Sequence, residues 1–162
     1  MHQVISVTGH RPDKLGGYYA LDQQKRVEAV FASWCVDNAP ALVVTGMALG
    51  FDTHVARVCV LLGIPFIAAV PFTGQEGRWS KISQEEYHYL LRKALQVHVV
   101  SAGGFSSASM HRRNHWMVDH SELTVAMWDG SPGGTGACVN YAQEVGRTVV
   151  NLWDNLFDGF VS

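Results

Sequence analysis

Six short, almost wholly apolar runs separated by stretches of helical periodicity predict an α/β fold, Rossmann-like and doubly wound, with a mainly parallel sheet of about six strands and helices on both faces. Two further observations support it. Each run ends in glycine, proline or small polar residues, as strand-to-helix turns do, and the alternation covers nearly all of the 162 residues with no linker-like stretch. A chain of this length suits one domain, taken as residues 1–162, and can bury roughly 70% of the surface its unfolded form exposes.

In chain order, a strand expected at Val4 to Thr8 leads into a helix from Leu21 to Val36, whose Val27, Val30, Phe31 and Trp34 recur at helical spacing. The second strand, Ala41 to Thr45, precedes a helix from Asp52 to Leu62 that opens on an aspartate suited to an N-cap. Ile64 to Val70 is the third strand, followed after a longer loop by a helix from Gln84 to Ala94. Val97 to Val100 and a helix from Met110 to Asp119 come next, then Leu123 to Trp128. A helix from Thr135 or Gly136 to Val145, closed by Gly146, leads to the last strand, Thr148 to Leu152. Right-handed crossovers gather the turns after the strands at one edge of the sheet, which is where ligands of such folds bind.

Composition narrows the function classes. The 48% hydrophobic and 16% charged content argues against disorder, and a net charge of −2 gives no general footprint for duplex nucleic acid or an anionic membrane. Cys35, Cys59 and Cys138 form no CxxC pair and sit in apolar helical stretches, so buried reduced thiols are expected rather than disulfides or a zinc site. The first strand starts close to Met1 and no apolar run approaches the roughly 18 residues of a membrane span, so a cytoplasmic protein is expected.

Five segments at the predicted sheet edge carry the chemistry. Thr8-Gly9-His10-Arg11-Pro12, with Lys14-Leu15-Gly16-Gly17, combines cations, donors and glycines: either an anion site in which Arg11 forks onto phosphate, or a surface turn closed by an arginine salt bridge. Gly46-Met47-Ala48-Leu49-Gly50-Phe51-Asp52 brings small residues to a helix start whose amides favour anions, with Asp52 either capping the helix or reaching a ribose hydroxyl. In Pro71 to Trp79, Phe72 or Trp79 either stacks on a purine read by Gln75, or simply packs the loop down. On the helix from Met110, the spacing groups Met110, Arg113, Asn114 and Met117, placing Arg113 towards the ligand and Arg112 in solvent. His111, His115 and His120 lack a carboxylate or cysteine to complete a metal set, so no metal and no cofactor is expected.

The last segment is the clearest. Trp128-Asp129-Gly130-Ser131-Pro132-Gly133-Gly134-Thr135-Gly136 joins a buried strand to a helix through four glycines, more than a plain turn needs. Glycine removes the Cβ that would keep phosphate from the amides, and Thr135 adds a hydroxyl at the helix start, so a phosphate cradle is expected. The spacing is neither Walker A, which needs Gly-Lys-Thr or Gly-Lys-Ser, nor a GxGxxG after the first strand.

These segments, with Arg113-Asn114, Met117-Val118-Asp119 and Gly133-Gly134-Thr135 in this order, resemble the SLOG superfamily of Rossmann-like nucleotide-binding domains, of the YpsA and YoqJ type found in bacteria and prophages. The ligand-binding residues this implies are Gly9, His10, Arg11, Gly46, Met47, Ala48, Gly50, Phe72, Gln75, Trp79, Arg113, Asn114, Asp119, Asp129, Gly133, Gly134 and Thr135. A homodimer is also implied, since members of the superfamily often pair through helices. The chain is more distantly similar to the Lonely Guy phosphoribohydrolases, which cleave the N-glycosidic bond of nucleoside monophosphates. Their Arg-Lys pair is here Arg113-Asn114, and in their Pro-Gly-Gly-x-Gly-Thr-x-x-Glu motif Ala137 replaces threonine and Asn140 the glutamate.

Glycosidic cleavage needs a carboxylate, and asparagine cannot take its place. Glu144, one turn beyond Asn140, and Asp52 are the substitutes, with Arg113 orienting phosphate. The expected function is therefore binding of a nucleotide-type small molecule as a sensor or sequestering module, with N-glycosidase activity as the alternative. The DprA-like branch of the superfamily adds single-stranded DNA binding as a third class, against which the acidic balance argues.

Overall fold

A computed structural model describes residues 3–17 and 20–157. The strands are β1 (Val4–Gly9), β2 (Leu42–Thr45), β3 (Phe66–Val70), β4 (Gln96–Val99), β5 (Leu123–Met127) and β6 (Thr148–Asn151). They form one sheet in the order β4-β3-β2-β1-β5-β6, and every pairing is parallel. The helices are α1 (Leu21–Asn38), α2 (Phe51–Leu62), α3 (Lys81–Lys93), α4 (Ser107–Asp119) and α5 (Gly134–Glu144). This is the Rossmann-like α/β fold expected from the apolar runs.

Strand alternation separates two cores. Val43 joins Val27, Phe31, Phe51 and Val55 beneath α1 and α2, whereas its neighbour Val44 packs with Ala69 and Met117 of α4 on the opposite face. Helices α1, α2 and α3 pack successively against one another, and α4 packs on α5. All five residues of β5 are buried, because both of its faces are covered, whereas edge strands β4 and β6 are largely exposed.

The connectivity positions the site. From β1 the chain winds outward through β2 and β3 to β4, and then returns so that β5 pairs with the other side of β1. The turns after β1 and β5 therefore diverge, leaving a crevice at their carboxyl ends.

Three boundaries differ from expectation for identifiable reasons. Helix α3 begins at Lys81 rather than Gln84, because Ser80 Oγ accepts the Ser83 amide at 3.2 Å. Helix α4 begins at Ser107 rather than Met110: Ser106 Oγ accepts the Ser109 amide at 3.0 Å while Ser109 Oγ accepts the Ser106 amide at 3.2 Å, a reciprocal box that closes a polar first turn. Strand β3 starts at Phe66 rather than Ile64, since Pro65 has no amide to donate to the ladder. Cys35, Cys59 and Cys138 are free and buried; desolvation pushes the Cys35 thiol up to about 12 and that of Cys138 up to about 11, so neither is a ready nucleophile.

Candidate ligand-binding cleft

A cleft of about 670 Å³ opens at the carboxyl ends of β1 and β5. Its walls come from Thr8 to Arg11 with Asp13 and Lys14, from Ala48 and Asp52, from Phe105 and the first two turns of α4, and from Ser131 to Gly136.

The turn after β1 is fixed by His10. Its amide donates to the Met127 carbonyl at 3.2 Å, and its own carbonyl accepts the Phe51 amide at 3.1 Å, so the loop is tied both to β5 and to the start of α2. The buried ring stands edge-on to Trp153 at 5.5 Å, and Nε2 lies 2.8 Å from Asp129 Oδ1 and 3.0 Å from the Asp129 amide. According to tautomer, that nitrogen donates to the carboxylate or accepts from the amide; both contacts join the two turns. Arg11, next in sequence, is exposed on the cleft wall.

Asp129 shapes the glycine turn from within. Its Oδ1 accepts the Ser131 hydroxyl at 2.5 Å and the Ser131 amide at 2.9 Å, and Lys14 Nζ donates to Ser131 Oγ at 2.8 Å while standing 3.6 Å from Asp129 Oδ2. The Ser131 hydroxyl, then its amide, and then His10 hold this carboxyl well below the usual range. Beyond the turn, Gly133 at φ 143° and ψ −165° occupies a region closed to side chains, and α5 starts behind it with no side-chain cap among the described residues. Its first amides therefore face the cleft at Gly134, Thr135 and Gly136.

The third wall holds two buried side chains of opposite charge that influence each other through space without a direct ion pair. Arg113 and Asp52 are both below a tenth exposed, and a Cβ on Gly46 would meet Arg113 Nη1 at 2.5 Å and Asp52 Oδ2 at 2.9 Å, so the two side chains converge where Gly46 has none. Arg113 Nη1 donates to the carbonyls of Gly46 at 2.5 Å and Ala69 at 3.3 Å, and Nε to Asn114 Oδ1 at 2.9 Å. Asp52 Oδ2 accepts the Ala48 amide at 3.3 Å. Burial pushes the Asp52 carboxyl up against the pull of Arg113 and Arg11, and burial likewise lowers Arg113.

Several expected ligand residues lie elsewhere. Met47 is a fully buried core residue, and Gly46 and Gly50 serve close packing against Arg113 and the His10 carbonyl. The loop after β3 does not line the cleft. Gln75 Nε2 donates to the Gly46 carbonyl at 3.2 Å and Tyr87 Oη at 3.3 Å, Trp79 stands edge-on to Tyr87 at 5.1 Å, and Phe72 is buried edge-on to Phe105 at 6.3 Å. Asp119, at the far end of α4, accepts the Tyr141 hydroxyl at 2.7 Å. Glu144 closes α5 about 15 Å along the axis from Gly134, and neither it nor the exposed Asn140 lines the cleft. Of the three residues named for catalysis, Asp52 and Arg113 line the cleft and Glu144 does not. His115 stacks on Tyr141 at 3.7 Å and His120 on Trp116 at 4.2 Å, while His111 faces the cleft.

The family model described as the YspA SLOG family, under the short name YpsA, matches residues 5–147. The chain belongs to this family. Within that span fall the β1 turn, the Asp52–Arg113 pair and the α5 glycine turn. The SPbeta prophage-derived protein YoqJ of Bacillus subtilis is 39% identical over 118 residues, covering 62% of this chain and 68% of YoqJ. A UPF0398 protein of Bacillus cereus is 23% identical over 158 residues, covering 90% of this chain and 85% of the relative. Among solved structures, DNA processing protein A from Helicobacter pylori, described for its single-stranded DNA binding mode, superposes with a TM-score of 0.62 at 14% identity. That match covers 90% of this chain but only 63% of the Helicobacter protein. The structural genomics target TM1055 also gives a TM-score of 0.62, at 12% identity, over 96% of this chain and 80% of its own. These two likenesses concern the fold.

The sequence motifs cover the β1 and β5 turns and, on α4, Met110, Arg113 and Asn114, but not the residues before Met110 that also close the cleft. Phe105, Ser107, Met110 and His111 line it, because the helix begins three residues before Met110 and directs its first turn inward. The Ser106-x-x-Ser109 spacing was the available signal.

Proposed function

We propose that this chain binds a nucleotide or nucleotide-derived phosphate compound in the cleft between the β1 and β5 turns. The observation that carries the reading is the uncapped start of α5 behind Gly133, opening on the same cavity as Arg11 and Lys14. Free amides at a helix start, with the positive end of its dipole, favour an anion by about 0.3 to 1 kcal/mol when exposed and up to ~2 when partly buried. Flanking cations add charge-assisted bonds.

A second reading has one observation in its favour. Asp52 lies in the cleft wall with its carboxyl pushed towards the protonated form, the state needed to donate a proton to a departing base. Hydrolysis of an N-glycosidic bond would then place the water oxygen on the sugar carbon and the proton on the base. The Helicobacter neighbour's single-stranded DNA is a third ligand to test against the acidic net charge of −2.

Thermal denaturation with nucleoside mono- and diphosphates, NAD, cyclic dinucleotides and a single-stranded oligonucleotide, with free base measured in parallel, separates these readings. A ligand at 100 times its Kd raises stability by about 2.7 kcal/mol, a visible shift. Stabilisation without base release supports binding alone, and base release lost in Asp52→Asn supports hydrolysis. No shift with any phosphate compound overturns both.

A further inference from the structure

We infer that Phe105 is the base-stacking residue of this cleft, so that the ligand class is a phosphate ester carrying a flat aromatic ring, held with its phosphate on α5 and its ring on Phe105. The inference rests on the phosphate reading above and assigns another wall of the same cavity. Phe105 is 77% exposed, an unusual position for a phenylalanine, yet it lines the cavity that contains Gly133, Gly134 and Thr135. It is not a loose surface ring. Phe72, only 7% exposed, meets it edge-on, with centroids 6.3 Å apart and planes at 82°. The ring is thus held by an edge-to-face contact with a buried neighbour and still presents most of its surface outward, an arrangement suited to receiving another ring. Met110, from the first turn of α4, contributes soft apolar surface to the same cavity.

The cleft wall also carries charged side chains, Arg11, Lys14, Asp52 and Arg113, of which the exposed Arg11 is placed to meet an anionic end that an aliphatic ligand lacks. A compound with a charged end and an aromatic end satisfies both. A stacking platform tolerates any base, because every base has a π-face; Phe105 therefore contributes affinity for a ring rather than a choice between adenine and guanine.

The test is calorimetric titration of the full chain and of Phe105→Ala and Phe105→Trp with four probes: AMP, GMP, adenosine and ribose 5-phosphate. Because the side chain is exposed, Phe105→Ala is expected to fold with little change in Tm. AMP and GMP should bind Phe105→Ala roughly 5- to 150-fold more weakly than the parent, the range of one lost base stack. Phe105→Trp should restore them, and ribose 5-phosphate should bind all three proteins alike. AMP binding indifferent to Phe105→Ala overturns the inference while leaving the phosphate reading intact, as does an equal loss for ribose 5-phosphate, which would mean a general disturbance of the start of α4. Adenosine binding as tightly as AMP and falling in Phe105→Ala supports the ring site and overturns the phosphate cradle. Failure of all four probes to bind the parent overturns both.

Discussion

His10 Nε2 and Asp129 Oδ1 lie 2.8 Å apart, joining the turns after the two adjacent strands from which the chain diverges. The contact spans 119 positions of sequence and joins the two turns that flank the cleft. Asp129 also holds the Ser131 amide and hydroxyl, and these bonds keep its carboxyl below the normal range.

A stability change with a defined sign follows. A carboxyl whose folded pKa is depressed contributes stability that is fully present above its unfolded value, about 3.9, and is lost as pH falls towards the folded value. Asp129→Asn should therefore lower Tm between pH 5 and 7 and differ progressively less from the parent below about pH 4. Acid denaturation curves of the two proteins check this. A gap that is constant down to pH 2.5 would assign the effect to geometry rather than to charge.

Asp52 should behave in the opposite direction. Burial raises its folded pKa, so the folded chain binds this proton more tightly than the unfolded chain. Its contribution is fully favourable below about 3.9 and is lost as pH rises through the folded value, with a slope of at most about 1.4 kcal/mol per pH unit. Asp52→Asn, measured by urea denaturation from pH 4 to 8, should remove that decline. An unchanged pH profile would show that Asp52 ionises normally.

Arg113 is the member of the pair that the fold depends on. It donates to the Gly46 and Ala69 carbonyls and offsets the nearby Asp52 charge through space, so Arg113→Met leaves buried acceptors unsatisfied, a loss of about 1–3 kcal/mol. Asp52→Asn in the same chain should recover part of it, because the groups share one network. Arg113→Lys keeps the charge but cannot fork between the carbonyls and Asn114, and should fall between the parent and Arg113→Met. Denaturant midpoints of these proteins together with the Asp52→Asn single variant close the cycle and give the coupling.

The sheet was legible in the sequence because its central strands are covered on both faces and must be nearly continuously apolar; β5, from Leu123 to Met127, is the clearest case. The glycine turn at Gly133 was legible because its backbone admits no side chain. Two parts of the site were hidden. Aromatic content alone does not say which way a loop faces: Phe72 and Trp79 turn inward to pack on Phe105 and Tyr87, while Phe105, in a segment without a motif, turns to the cleft. Helical spacing places Glu144 on the face of Asn140 but says nothing of which end of α5 opens on the cleft. The parallel sheet decides that, with the amino end at the cleft and Glu144 about 15 Å away.

Gly133 and Gly134 separate backbone necessity from ligand access. At Gly133, φ of 143° and ψ of −165° exclude an L side chain, so Gly133→Ala should destabilise by about 1–3 kcal/mol whether or not a ligand exists. Gly134 is the first residue of α5, and a Cβ there meets nothing within 4 Å. Alanine at that position is conformationally acceptable and should leave stability unchanged or raise it by up to about 1 kcal/mol. The added methyl nevertheless projects from a residue lining the cleft, where it would hold a phosphate off the amides of the first turn. Gly134→Ala should therefore keep or raise Tm while weakening phosphate-ester binding by tenfold or more, on the order of 1.4 kcal/mol. Paired melting and titration experiments check both halves. Full affinity in Gly134→Ala would mean that any ligand is held by Arg11 and Lys14 rather than by the helix.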